Sequence, residues 1–386
     1  LYRVDRDGAM TRITTGEFDA IKLLGVDERG GQAFFLASPE QPTQRYLYAV
    51  ALDGKSPAKR LTPPHRSGWN EYEVSPDGTQ ALHTWSAFGA APEIELVTLP
   101  GHRNIRALTT NEIPKVRLHN LARRPAEKLR VDIGGGVQLD GWLMLPPDFD
   151  PEKKYPLLFH VYGEPASQAV VDRWGGNNYL WHLMLTQQGY AVACLDNRGT
   201  PGPRGREWRK AAFRKVGTLA ANDQAAAARA LLKERKYLDP ERVGAWGWSG
   251  GGSSTLNLLF RHPDLYRAGV AVAPVPDMRL YDTIYQERYM GLPQENPKDY
   301  ELGSPLTHAA GLKGDLLIIH GTGDDNCHYQ GVEKLVNRLV ELDKPFQMLA
   351  YPNRSHSINE GRNTSKHLYG AMTRFLNERL PPGPRP

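Results

Sequence analysis

A serine, an aspartate and a histidine, met in that order, are the residues of this sequence with the clearest chemistry to offer. Ser249 stands in Gly247-Trp248-Ser249-Gly250-Gly251, after the apolar run Val243 to Trp246 and before the small and apolar run Gly252 to Phe260. That context is strand, sharp turn, helix. Such a turn strains the serine backbone, and glycines two before and two after it let strand and helix pass closely. The hydroxyl is then exposed just ahead of a helix N-terminus. A hydroxyl is a weak nucleophile until a base takes its proton, and the base needs a carboxylate to orient it. Asp324 follows the apolar run Leu316 to His320 across His320-Gly321-Thr322-Gly323. His356 follows the run Phe346 to Tyr351 across Pro352-Asn353-Arg354-Ser355. Both sit in turns beyond later strands, carboxylate first and base last, as acyl transfer through a serine requires. Asp325 is the rival carboxylate; Asp324 is nearer its strand end. Taken alone, G-x-S-x-G also occurs in ordinary Gly-rich turns, and it is the two later turns that give it weight.

The elements that must position these residues alternate. Leu129 to Ile133, Leu139 to Leu145, Pro156 to Tyr162, Tyr190 to Leu195, Ala268 to Ala273, Leu316 to His320 and Phe346 to Tyr351 read as strands. Tyr179 to Gln188, the alanine-rich Thr218 to Glu234, and Thr364 to Leu380 read as helices. Val332, Leu335, Val336, Leu339 and Val340 form one apolar helix face. Alternation of this kind implies a mostly parallel sheet covered on both faces.

Residues 1 to about 115 are different: strand-rich and repetitive. Leu1-Tyr2-Arg3-Val4, Leu47-Tyr48-Ala49-Val50 and Ile94-Glu95-Leu96-Val97 each run to a Gly turn and then to a threonine. Thr14, Thr62 and Thr109 are 48 and 47 residues apart. A second register agrees, Val26 to Ser38 recurring as Val74 to Ser86. Short strands joined by Asp-Gly-type turns, such as Ser75-Pro76-Asp77-Gly78, at this period are the signature of β-propeller blades. Two to three units fall short of the four to eight that close a ring. Pro114 to Pro125, ending in Arg123-Arg124-Pro125, reads as a linker, which divides the chain into residues 1–120 and 121–386.

Composition bounds the rest. A chain of 386 residues is natural for two domains, and 40% hydrophobic with 24% charged residues is ordinary for a globular protein. The net charge of +5 is mild and no dense Lys/Arg run occurs, so no nucleic-acid surface is expected. No apolar stretch reaches the roughly 18 residues of a membrane span. The N-terminus has no apolar core of a signal peptide and no starting Met. Only two cysteines occur, Cys194 and Cys327, which excludes a disulfide scaffold and a Cys-based zinc site.

The sequence resembles the dipeptidyl peptidase IV branch of the prolyl oligopeptidase family. The likeness is carried by Gly247-Trp248-Ser249-Gly250-Gly251, by His320-Gly321-Thr322-Gly323-Asp324-Asp325-Asn326, by Asn353-Arg354-Ser355-His356, and by Ala271 to Val275 continuing through Tyr281 to Pro293. It covers about residues 125 to 386. The resemblance implies an α/β-hydrolase domain after a β-propeller, with Ser249 as nucleophile, Asp324 as orienter and His356 as base. It also implies a tyrosine hydroxyl in the oxyanion hole, matching Tyr162 in His160-Val161-Tyr162-Gly163-Glu164-Pro165, with the N–H of Gly250 as second donor. By the same likeness Val275, Met278, Tyr281, Tyr285 and Cys327 would line the S1 pocket and Asn326 would hold the P2 carbonyl. No cofactor and no metal is implied. Two departures bear on S1. Gly250 stands where the group has a walling tyrosine, and Met278 stands where it has an aromatic residue, so a larger and softer pocket is expected. The family's paired glutamates for the substrate N-terminus belong to a propeller region upstream of these residues.

The expectation is therefore a serine peptidase acting on a peptide substrate, releasing N-terminal dipeptides after Pro or Ala through an acyl-enzyme. A carboxylesterase with the same triad and a non-catalytic propeller binding protein are the alternatives. Compartment, whether periplasmic or cytoplasmic, and homodimer formation are left open. Residues 1 to about 115 should leave strand edges that a further propeller segment, from a longer chain or a second one, completes. Intact mass and sedimentation of the native protein check this; a fully active, monodisperse monomer of 43.1 kDa would contradict it.

Overall fold

The computed structural model describes residues 1–386 and divides into two compact units. Unit 1 comprises residues 1–122, 171–179 and 202–207, and unit 2 the remainder.

Unit 1 holds β1 (Tyr2–Val4), β2 (Met10–Arg12), β3 (Ala20–Asp27), β4 (Gln32–Ala37), β5 (Tyr46–Ala51), β6 (Lys59–Arg60), β7 (Trp69–Val74), β8 (Gln80–Ala87), β9 (Ala90–Thr98) and β10 (Asn104–Thr109). They form two four-stranded antiparallel meanders, β3 to β6 and β7 to β10, and the hairpin β1–β2. The sequence repeat maps onto them: β1, β5 and β9 are one recurring strand, and β4 and β8 another. The turns recur too. Asp7, Asp53 and Asp77 each accept the N–H two residues on, from Ala9, Lys55 and Thr79. The glycines after them take positive φ, as this turn requires. Period-2 alternation sorts β4 between two cores. Phe34 and Leu36 join Leu47, Tyr72 and Val97, while Ala33, Phe35 and Ala37 join Ile13 and Val50. These are propeller-type blades. The segment expected as linker begins instead with a helix, α1 (Glu112–His119), whose Pro114 falls in its first turn, where the missing N–H costs no bond.

In chain order there follow β11 (Glu127–Asp132), β12 (Gln138–Met144), β13 (Tyr155–His160), α2 (Gly176–Gln187), β14 (Ala191–Leu195), α3 (Gly205–Lys210), α4 (Thr218–Glu234), β15 (Leu238–Trp248), α5 (Gly250–Arg261), β16 (Ala268–Val272), α6 (Thr283–Met290), α7 (Pro297–Gly303), β17 (Asp315–Gly321), α8 (Tyr329–Glu341), β18 (Gln347–Tyr351) and α9 (Thr364–Arg379). Unit 2 is organised by one eight-stranded sheet of order β11-β12-β14-β13-β15-β16-β17-β18. Its β11–β12 and β12–β14 pairs are antiparallel and the rest parallel. Strands buried on both faces read as continuous apolar runs. On β15, Val243 and Ala245 join the core that holds Leu256 and Leu259 of α5, while Trp246 stacks on His160 at 4.6 Å and meets Trp181 edge-on at 4.9 Å. Burial pushes the His160 imidazole down to about 4, so it serves this aromatic layer uncharged.

Strand and helix come very close at the β15–α5 turn. A Cβ on Gly251 would stand 2.2 Å from the Val161 carbonyl oxygen, and one on Gly247 2.3 Å from that of Gly251. Gly251→Ala should therefore destabilise the fold by about 1–3 kcal/mol or more through forced backbone displacement. Urea unfolding checks this; a loss under about 0.5 kcal/mol, the range of an indifferent substitution, would mean that α5 can move away from β13.

Candidate active site

β15 ends at Trp248 and α5 begins at Gly250, leaving Ser249 as the whole turn. Its backbone sits at φ 59°, ψ −122°, a conformation that residues with a side chain avoid. The Ser249 N–H donates to the Val272 carbonyl at 2.8 Å, and its carbonyl accepts from the Ser253 N–H at 3.0 Å. Gly250 supplies the first N–H of α5, which has no acceptor inside the helix.

Asp324 and His356 lie on adjacent turns beyond β17 and β18. The ring Nδ1 of His356 is 2.8 Å from Asp324 Oδ2. Asp324 Oδ1 accepts the N–H groups of Asn326 at 2.9 Å and Cys327 at 2.8 Å. A second imidazole serves the same carboxylate. Buried His320, on β17, has Nε2 2.6 Å from the Cys327 carbonyl and 3.2 Å from Asp324 Oδ2. Both neighbours are acceptors, so Nε2 carries the proton, and Nδ1 is buried with no partner. Burial by itself would raise the Asp324 carboxyl. His320, His356 and the Cys327 N–H outweigh it and hold the group well below the usual carboxylate range.

The two turns are fastened together. Thr322 N–H donates to the Tyr351 carbonyl at 2.9 Å and Gly323 N–H to that of Arg354 at 3.1 Å. Asn353 N–H donates to Thr322 Oγ1 at 2.9 Å. Trp248, beside the serine, donates its indole N–H to the His356 carbonyl at 2.9 Å, and Glu360 accepts from the Ser355 N–H at 3.2 Å. The Ser249 hydroxyl does not hydrogen-bond the His356 ring here. Its Oγ lies 3.9 Å from Cys327 Sγ, whose thiol burial and the Asp324 charge push up to about 12.

Of the other expected residues, Tyr162 follows β13, and burial, then the nearby Glu164 carboxyl, raises its phenol. Tyr281 and Tyr285 meet edge-on at 5.4 Å. Tyr281 donates its hydroxyl to Asn326 Oδ1 at 2.8 Å, which leaves the Asn326 amide N–H groups to face a carbonyl. The Val275 N–H donates to Ser253 Oγ at 2.9 Å. Two expectations need correction. Met278 is only 2% exposed and packs with Val216, Met290 and Tyr300, its Cε filling the space over Gly217 and Gly303. It is thus committed to a core rather than presented as a soft pocket wall. Nor is the space over Gly250 empty. A Cβ there would stand 2.8 Å from Glu164 Cδ and 2.9 Å from Glu164 Oε2. Gly250→Tyr cannot simply narrow a vacant pocket, because Glu164 occupies the volume first.

Three residues with a part in the site escaped the sequence reading: His320, Trp248 and Glu164. His320 and Glu164 lie inside motifs quoted for other residues, and Trp248 is the unspecified x of G-x-S-x-G. Their partners are 86 to 121 positions away or lie across a turn, and local pattern does not reach that far.

A mostly parallel eight-stranded sheet with a strained serine at its central strand-to-helix turn is the α/β-hydrolase arrangement. Residues 178–382 match the prolyl oligopeptidase family, and residues 1–92 match the dipeptidyl peptidase IV N-terminal region. The chain belongs to the prolyl oligopeptidase family of serine peptidases, on its dipeptidyl peptidase IV-like branch. It is 33% identical over 381 residues to prolyl endopeptidase FAP of Mus musculus, covering 95% of this chain and 48% of that one. It is 36% identical over 357 residues to a probable dipeptidyl-aminopeptidase B of Aspergillus terreus, covering 90% and 38%. Among solved structures, Porphyromonas gingivalis dipeptidyl peptidase 4 superposes with a TM-score of 0.92 at 38% identity, over 98% of this chain and 52% of that one. The chain thus spans about half or less of the length of the curated relatives it matches.

The His320 geometry makes a prediction. A hydrogen bond to a charged group contributes roughly 1.5–3 kcal/mol, so His320→Phe should weaken the hold on the Asp324 charge. A depressed carboxyl adds stability above its unfolded pKa and loses it as pH falls through its folded pKa. The melting-temperature gap between wild type and His320→Phe should therefore be widest at neutral pH and shrink in acid. An equal gap at both would mean that His320 acts by packing alone.

Proposed function

We propose that this chain cleaves peptide bonds by the serine mechanism, with Ser249 as nucleophile, His356 as general base and Asp324 as its orienting carboxylate. The observation that carries the reading is the His356–Asp324 bond of 2.8 Å beside a serine held in a strained turn. Asp324 fixes the tautomer: Nδ1–H points at the carboxylate, and Nε2 is left bare to accept the Ser249 proton. On substrate binding the Ser249 hydroxyl turns from Cys327 toward that nitrogen; such contacts commonly tighten only in the complex. Oγ attacks the peptide carbonyl as its proton passes to His356. The oxyanion that forms is met by the Tyr162 hydroxyl and the Gly250 N–H, donors of a kind commonly worth about 3–4 kcal/mol each. His356 then protonates the leaving amine, the C–N bond breaks, and an ester to Ser249 remains. Water, deprotonated by the same imidazole, hydrolyses that ester and restores the hydroxyl.

The substrate is taken to be a peptide cut two residues from its N-terminus, with Pro or Ala before the bond, as the dipeptidyl-aminopeptidase names of the relatives suggest. The Asn326 amide, oriented by Tyr281, is suited to the P2 carbonyl. The esterase alternative drew on an open S1 and an incomplete propeller, and Glu164 over Gly250 speaks against the first of these.

Replacing Ser249 or His356 by Ala should each abolish nearly all cleavage of a Gly-Pro anilide, with the double variant scarcely worse, because the two act as a unit. Retention of a tenth of wild-type turnover by Ser249→Ala would overturn the assignment. Turnover of a short p-nitrophenyl ester without any anilide cleavage would leave a serine esterase.

A further inference from the structure

Glu164 is a buried carboxyl of this site that the mechanism above does not use. It follows Gly163, whose φ of +83° and lack of a side chain let the loop after β13 pass within 2.3 Å, measured from an ideal Cβ, of Ser254 Oγ. That close pass delivers Glu164 to the residue next to the nucleophile. Its Cδ, Oε2 and Cγ lie 2.8, 2.9 and 3.0 Å from the point where a Cβ of residue 250 would stand. Tyr285, on α6, donates its hydroxyl to Oε2 at 2.8 Å. Glu164 is 8% exposed, yet Oε1 has no protein hydrogen-bond partner and is not among the sealed polar atoms. The carboxyl is therefore pinned by one oxygen and offers the other.

We propose that Glu164 is a specificity-determining residue for the P1 side chain: its carboxyl stands over Gly250 as the wall of the pocket beside Ser249 and presents Oε1 to a hydroxyl or amide carried by P1. The inference rests on the peptidase reading of the site. A side chain at 250 would then displace Glu164, since the two would occupy one volume. The wall is polar where a side chain from residue 250 itself could have been apolar. Burial raises the Glu164 carboxyl, and the Tyr285 hydroxyl only partly opposes this, so an apolar P1 residue meets an acid that need not carry charge. A hydroxyl at P1 gains a hydrogen bond in surroundings where leaving Oε1 unpaired is costly. A purely apolar P1 of the same shape seals that oxygen without a partner. The ligand class is accordingly a P1 residue with a short polar side chain, in preference to its apolar isostere.

Threonine and valine are the matched pair, equal in shape and differing by hydroxyl against methyl. The experiment measures kcat/KM on Gly-Thr and Gly-Val anilides for wild type, Glu164→Leu and Glu164→Gln. The wild-type ratio of Thr to Val is expected to be on the order of ten, the worth of one hydrogen bond. Glu164→Leu should bring it below one, and Glu164→Gln should keep it above one. A wild-type ratio below one, or the same ratio in Glu164→Leu, overturns the proposal while leaving the peptidase reading intact. Should wild type cleave neither anilide but hydrolyse esters, the peptidase reading fails, and the ratio is read on the corresponding p-nitrophenyl esters. Thermal unfolding gives a readout free of activity. Gly250→Tyr should lower the melting temperature, and adding Glu164→Ala should restore most of it, because the two side chains compete for one volume. Additive effects of the two substitutions would show that they do not share it.

Discussion

The backbone of Ser249 is the constraint that the hydrolase unit obeys. A residue at φ 59°, ψ −122° costs of order 1–3 kcal/mol and persists only where its surroundings over-determine it. Here they do. Every residue of α5 from Gly250 to Phe260 is buried, so the helix cannot roll or slide to relieve the turn. The Ser249 N–H is tied to β16, and α5 is already against that strand: a Cβ on Gly252 would stand 2.6 Å from the Val272 carbonyl oxygen. Gly247, Gly251 and Gly252 are thus three answers to one requirement, that α5 start almost against β13 and β16. The hydroxyl is exposed because the turn has nowhere else to put it.

Around that fixed point two carboxyls are shifted in opposite directions. Asp324 gathers two imidazoles and two backbone N–H groups, and its charge is stabilised despite burial. Glu164 is buried with a single phenolic donor, and burial raises it. Environments that push two titratable groups apart are how one site separates its roles. In the proposed mechanism an anion at Asp324 serves the imidazolium that forms as Ser249 attacks. A second anion beside the forming oxyanion would oppose it, and a carboxyl shifted toward its neutral form avoids that repulsion.

The fold was legible where the chain repeats a local rule. Asp-Gly-type turns and threonines 48 and 47 residues apart mark the blades, and apolar runs with alternating neighbours mark the strands of the sheet; β16 and α4 fall within a residue of their expected ends. Pro114 and Pro125 hid α1, because proline breaks a helix in its interior but not in its first turn. For the site, chain order was enough to propose Ser249, Asp324 and His356, since each follows a strand by one turn, and the structure brings Asp324 and His356 to 2.8 Å. Contacts across the sheet were not legible. Met278 reads as a pocket residue by register with a family, yet its thioether fills the notch left by Gly217 and Gly303. Gly250 reads as a missing wall, because sequence shows the side chain that is absent and not the Glu164 that arrives from 86 residues earlier.

The loop from Asp324 to Cys327 joins these themes. Its carboxylate accepts the N–H groups of Asn326 and Cys327, so the charge that orients His356 also shapes the backbone bearing Asn326. The Asn326 side chain is set in turn by the Tyr281 hydroxyl, and Cys327 places a buried, protonated thiol against Ser249 Oγ. On the proposed reading, positioning of the base and contact with the substrate are therefore not separable tasks in this site: one loop carries both, and a change that loosens the Asp324 carboxylate would also loosen the backbone that bears Asn326.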